Sequence, residues 1–199
     1  MTYRPWLAPL LVLALPLAAQ AKAFRVDTNH TVFGFKASTL LFDVPGRFDR
    51  YKVSIQGDPV DLSGVQIRVE LEARSINTSN RKRDEHLRSE DFFDVEHFPK
   101  IVFTSSQIKR DGDKLVLRGT LEMHGAKQEL EIPFTAAEGR NGADQPTWSY
   151  RATLPLDRLA YGIGSQSVAA KISLNKEVEL NLMLVGFFEP APAPGHKAR

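Results

Sequence analysis

Residues 64–76 read GVQIRVELEARSI, with Val65, Ile67, Val69, Leu71 and Ala73 on one phase and Gln66, Arg68, Glu70, Glu72 and Arg74 on the other. A period of two is what an extended chain presents when one face is buried and the other is wet, so this stretch reads as a strand of an antiparallel sheet. The same alternation recurs in KLVLRGTLEM (Leu115, Leu117, Gly119, Leu121) and in QELEIPFTA (Leu130, Ile132, Phe134, Ala136). It decides the fold class as all-β.

Further strands are expected at FRVDT, TVFGFKAS (Phe33 and Phe35 in phase), RFDRYKVSIQG, KIVFTSSQIKR, WSYRATLPL, SVAAKISL and EVELNLMLVGFF. Turn chemistry separates them: Asp111-Gly112-Asp113, His124-Gly125, and the run from Gly139 to Pro146. About eight strands joined by short connections must hide their edges, and closing the sheet into a barrel abolishes them. An eight-stranded antiparallel barrel has an interior that side chains can fill, or that holds one slender ligand. Facing lipid, Arg68, Glu70, Glu72 and Arg74 would be costly, so the apolar face belongs inside and the barrel is not a membrane barrel. From Leu180 to Phe188 the last strand is apolar on both faces; Met183, Val185 and Phe187 could bury themselves in a homodimer.

The chain of 199 residues opens with Arg4, an apolar run from Leu7 to Leu17 and AQA at 19–21, the pattern of a cleavable secretory signal peptide over residues 1–21. The run is too short, and too interrupted by Pro9 and Pro16, to anchor the chain across a membrane. Residues 22–188 are expected to form one domain, and residues 189–199 a Pro/Ala-rich disordered tail. There is no cysteine, which excludes disulfides, thiolate catalysis and sulfur-ligated metals; the formal net charge of +2 leaves no basic stripe for nucleic acid.

The exception to the strands is RKRDEHLRSEDFFDVEHFPKIVF, Arg81 to Phe103, with two histidines and six carboxylates. His86 and His97 lie eleven apart, which fits neither a helical metal face nor a strand alternation, so no metal site is expected. Glu85, Glu90, Asp91 and Asp94 share one solvated setting, whereas acid/base catalysis needs carboxylates in unlike environments. GIGSQS at Gly162 lacks the second glycine of a nucleophile elbow. No catalytic residue is assigned and no cofactor is expected. The segment reads as a short helix, about Arg81 to Glu90, and a phenylalanine-rich turn near residues 80–98 that lies as a lid over one end of the barrel.

Five segments together resemble the YceI-like family of polyisoprenoid-binding, lipocalin-like periplasmic proteins: FRVDTNHTVFGFKAS, GRFDRYKVSI, ARSINTSNRKRDEHLRSEDFFDVEHFPKIVFTSS, GDKLVLRGTLEMHGAKQELEIPF and DRLAYGIG. The resemblance implies an elongated barrel with a helix at its opening and an interior tunnel for an isoprenoid or acyl chain. It implies binding rather than catalysis, in the periplasm, with a link in some members to envelope stress responses. Many members carry a second histidine soon after the first hairpin's phenylalanines, where this chain has Lys36-Ala37-Ser38.

On this reading Phe33, Phe35, Ile67, Val69, Leu71, Phe103, Leu117, Leu121, Ile132 and Phe134 point inward and would touch a lipid ligand. Phase alone does not distinguish a hollow barrel from a packed one. His30, Arg81, Arg83, His86, Arg88, Phe92, Phe93 and Tyr161 are the candidates for the lid and the ligand's head group. The rivals are an envelope enzyme acting on such a lipid, and a filled barrel that serves as a protein-interaction module.

Overall fold

The structure, a computed structural model, describes residues 22–57, 62–112 and 114–189; the expected signal peptide and most of the expected tail fall outside these, as does Asp113 of one turn. Eleven strands form one antiparallel sheet: β1 (Lys22–Val26), β2 (Val32–Thr39), β3 (Asp43–Phe48), β4 (Tyr51–Gly57), β5 (Gln66–Glu72), β6 (Ile76–Asn77), β7 (Lys100–Asp111), β8 (Lys114–Met123), β9 (Ala126–Arg140), β10 (Pro146–Asp157) and β11 (Leu174–Phe188). β1 and β2 succeed each other along the same edge of β11, and β3 and β4 are one strand bent at Asp49-Arg50, while β6 is a two-residue appendage of β3. Eleven strands thus make eight staves.

β11 closes the ring, pairing with β10 along one edge and with β2 and then β1 along the other; β1 also pairs with β4. The interruptions are held by side chains. Thr31 Oγ1 accepts from Val185 N at 3.0 Å, pinning the break between β1 and β2 to β11. Arg50 N donates to Ser75 Oγ at 3.0 Å across the bend in the second stave. β9 and β10 pair only from Thr135–Arg140 to Pro146–Arg151, and toward the other end a 3-10 turn at Arg158–Tyr161 packs near the seam.

The described residues include two α-helices. α1 (Arg81–Arg88) begins at Asn80, whose side chain accepts from Arg83 N, and stops at Ser89, whose Oγ bonds His86 O. It is two residues shorter than the sequence suggests. α2 (Val168–Ser173) replaces the strand expected at SVAAKISL. Ser167 caps it, accepting from Ala170 N at 3.2 Å, and Ala170 is buried while Val168 and Ile172 are exposed. A few residues of alternating small and apolar character look alike as a strand or one helical turn, and the cap decides for the helix.

Both helices, the β8–β9 turn and the β2–β3 hairpin lie at one end. The packed core fills that end and the middle: Ala73 and Ile76 are 1% exposed, Tyr161 2% and Val95 4%, joined by Phe92, Met123, Leu154, Leu156 and Ile163. Glycines let rings lie flat on the wall. Gly119 sits beneath Phe103, where a Cβ would strike the Phe103 ring and the Thr104 carbonyl. Gly119→Val is expected to push Phe103 into the lumen and to cost about 1–3 kcal/mol, seen as a lower urea midpoint.

Candidate functional site

The inward faces of the staves enclose a cavity of about 580 Å³, within the roughly 300–1,000 Å³ typical of ligand sites. All ten residues read as inward from the sequence line it: Phe33, Phe35, Ile67, Val69, Leu71, Phe103, Leu117, Leu121, Ile132 and Phe134. Neither Asp nor Glu nor His is among its described lining residues. The charged ones, Arg110 and Arg151, are both exposed, Arg110 beside the β7–β8 turn and Arg151 midway along β10 opposite Thr135.

The cavity has two unlike halves. Near the helices its wall is the packed core itself, including Ile101, Leu121, Met123 and Leu156. Toward the β7–β8 and β9–β10 hairpins the wall is made of Phe33, Ile55, Ile67, Ile108, Leu115, Phe134, Trp148, Tyr150, Leu184 and Phe188, none of them in that packed cluster. A collar of rings surrounds this second half. Tyr150 is its hub, 6.1 Å from Phe24, 6.2 Å from Phe134 and stacked on Trp148 at 6.5 Å, while Phe24 meets Phe188 edge-on at 5.0 Å. Arg110 stands on the inward phase just outside the collar, opposite Leu115. Trp148 and Tyr150 were legible as the alternate positions of WSYRATLPL. Arg110 was not, because a bulge between Ser105 and Gln107 reverses the phase of β7.

The geometry bears out a lid over one end of the barrel and shows which end it covers. The helix covers an end, but it is the end that the core plugs, and the lumen's exposed residues lie at the opposite end. Phe92 is 7% exposed and wedged into the core, with the His86 ring edge-on at 5.0 Å; Phe93 meets Phe48 at 5.8 Å. Arg83 is committed to Thr78, donating to Oγ1 at 2.8 Å and to the carbonyl at 2.9 Å; Arg88 donates to the carbonyls of Arg74 and Ile76. Arg81 is exposed and pairs with Glu85, and His30 is exposed and pairs with Asp27 at 2.6 Å. None of the eight lid and head-group candidates lines the cavity. Their segment is also less solvated than its composition suggests, since Asp84 is 7% exposed and accepts from Thr78 N and Oγ1.

Tyr161 is buried, and its hydroxyl has no partner among the described residues. Burial pushes both Tyr161 and Tyr150 up to about 12. Each therefore keeps its proton when folded at pH values where the unfolded chain, ionising near 10, loses it. The stability this preference brings is whole below pH 10 and lost as pH climbs toward 12, at no more than about 1.4 kcal/mol per pH unit for each ring. Thermal midpoints measured across that window are expected to fall, and Tyr161→Phe to flatten the fall. At neutral pH the same variant is expected to be about 1 kcal/mol more stable, because it removes an orphaned hydroxyl.

On the exterior, a cleft of about 930 Å³ lies beside Thr28–Val32 and Arg47–Lys52. Its charges are largely spent on one another: Arg50 with Glu72, Lys100 with Glu70 at 3.0 Å, Arg47 with Asp49 at 2.6 Å. Asp94 holds the His97 ring in place by a 2.9 Å hydrogen bond, which raises the pKa of that exposed ring. Among the described residues no three metal-ligating side chains converge, and no helix is long and apolar enough to cross a membrane.

Comparison with known proteins agrees with this architecture. The YceI-like domain family profile matches residues 24–185. A UPF0312 protein of Vibrio vulnificus is 29% identical over 178 residues, covering 85% of this chain and 92% of the relative. Among solved structures, BcnA of Burkholderia cenocepacia superimposes with a TM-score of 0.71 at 22% identity, over 81% of this chain and 99% of that one. A polyisoprenoid binding domain from Saccharophagus degradans, implicated in plant cell wall breakdown, superimposes with a TM-score of 0.63 at 15% identity, over 85% and 99%. At these identities the structural likenesses establish the fold.

Proposed function

Because the chain belongs to the YceI-like domain family, we propose that it is an exported carrier or buffer of one slender lipid, isoprenoid or acyl, held in the barrel lumen. The observation that carries this reading is the lumen's unpacked half. Its wall is apolar, it stands outside the core cluster, and it is ringed by aromatic side chains. Each methylene buried there contributes about 0.8 kcal/mol, so a few isoprene units supply useful affinity without a salt bridge. The likeness to a polyisoprenoid binding domain supports the same class of ligand.

In this reading Phe33, Phe35, Ile67, Val69, Leu71, Phe103, Leu117, Leu121, Ile132 and Phe134 contact the chain. The head group rests at the collar, where Arg110, Trp148 and the Tyr150 hydroxyl offer polar contacts, rather than beneath α1. The absence of carboxylates and histidines from the described lining favours binding over catalysis, since an acid/base pair has no members there. The leader-like residues 1–21 support export, and with it a periplasmic location.

Native mass spectrometry of protein released from a bacterial periplasm, together with organic extraction, tests all of this. The expected result is a chain lacking residues 1–21 and carrying one lipid per barrel. A clean apo mass that also refuses added polyprenols, quinones and fatty amides would overturn the carrier reading.

A further inference from the structure

The plugged end of the barrel carries the most exposed large apolar side chains among the described residues. At the β2–β3 hairpin tip Leu40 is 92% exposed, Leu41 85% and Phe42 58%; on α2 Val168 is 70% exposed and Ile172 83%. These are two separate elements on one surface. Leu174, the residue after α2, pairs with Thr39 at the base of the hairpin. Val168 and Ile172 stand four apart, on the helix face opposite the buried Ala170. Burial of the fold asks for none of these five side chains outside.

We propose that this end docks on a lipid bilayer, with the hairpin tip and the outer face of α2 inserted among the acyl chains. Three features favour a bilayer over a protein groove. The apolar side chains sit on protrusions, a hairpin tip and a short helix, and hydrocarbon conforms to any such shape. The tip is also prepared for a medium without water. Thr39 Oγ1 accepts from Leu41 N at 3.3 Å and from Phe42 N at 3.1 Å, and Thr39 N donates to Phe42 O at 2.9 Å, so these amides need no solvent. Lastly, Lys171 lies beside the patch with no carboxylate in ion-pair range among the described residues, placing a free cation at head-group depth. The described chain begins at Lys22 and ends at Glu189, both at the opposite end of the barrel, so its own continuations do not start next to the patch. The inference is independent of whether a lipid occupies the lumen.

The chain has no cysteine, so Leu41→Cys and Ile172→Cys each create one site for a nitroxide label, and Ala143→Cys in the β9–β10 turn labels the far end. With vesicles of phosphatidylethanolamine and phosphatidylglycerol, labels at 41 and 172 are expected to gain oxygen accessibility and lose that of a water-soluble nickel chelate, while the label at 143 stays aqueous. Leu40→Asp/Leu41→Asp, which alters only exposed side chains and leaves the thermal midpoint in place, is expected to weaken partitioning to those vesicles at least about a hundredfold. Labels at 41 and 172 that remain aqueous would overturn the proposal. So would equal shielding of all three labels, which marks indiscriminate adsorption, or shielding at 41 that appears with protein concentration alone, which assigns the patch to a second copy.

Discussion

Arg158→Met is expected to destabilise the protein by about 3–5 kcal/mol, the scale of breaking a buried charge network. Arg158 is 4% exposed and its guanidinium donates to four carbonyls: Ile163 O at 2.7 Å, Asn175 O at 2.9 Å, Leu174 O at 3.0 Å and Ala170 O at 3.2 Å. Those acceptors span the whole connection from the 3-10 turn through α2 to the start of β11. One planar fork thus replaces the regular hydrogen bonds that this irregular segment lacks. Burial lowers the pKa of Arg158, with Asp157 opposing the shift, yet no ordinary pH discharges it. Methionine restores the volume but orphans the carbonyls. Lysine, lacking the fork, is expected to recover only part of the loss. Urea denaturation gives the magnitude, and faster amide exchange confined first to residues 158–175 would identify the cause; a midpoint unchanged in Arg158→Met would mean that the segment holds itself.

Phe134→Asp is expected to empty the lumen while sparing the fold. Phe134 lines the unpacked half of the cavity, 6.2 Å from Tyr150, and is not part of the packed cluster that stabilises the other half. A carboxylate there meets apolar wall on the β8 and β10 sides; the nearest lumen cation, Arg110, stands two strands away across Leu115. Either it stays charged beside the ligand chain, or it takes up a proton; both oppose binding by more than the roughly 1.4 kcal/mol that equals a factor of ten. Copurifying lipid should therefore drop at least tenfold, with Phe134→Leu remaining loaded. A folded Phe134→Asp protein that still carries a full complement of lipid would place the ligand elsewhere.

The inward set was legible because strands with one wet face announce their phase. From β5, β8 and β9 seven of its members could be read directly, and with Phe33 and Phe35 of β2 and Phe103 of β7 all ten line one cavity. Three things were not legible. The bulge at Ser105/Gln107 shifts the phase of β7, so Arg110 joins the lumen although it reads as outward when counted from Phe103. The hydroxyl cap that turns SVAAKISL into α2 competes with a pattern too short to show its period. And the direction in which a lid faces is set by long-range closure: the charged segment after β5 emerges at the same end as the β10–β11 connection, whose buried Tyr161 and Ile163 help to plug it. Composition revealed that Phe92 and Phe93 seal something, but not which end was left hollow.

Among the described residues, the strand that closes the ring is also the last in sequence. β11 touches β10, β2 and β1, and Phe188 pairs with Phe24 across almost the full length of the described chain. Sheets dominated by such distant pairings fold slowly, on a millisecond-to-second scale, because loop closure must precede any reward. Before β11 arrives, β1 and β2 lack the neighbour that holds them, and the ring remains an open, curling sheet. A nascent chain of this topology cannot complete its fold until β11 is free to pair. The order of its strands is thereby also a timer, keeping the polypeptide unclosed until β11 emerges.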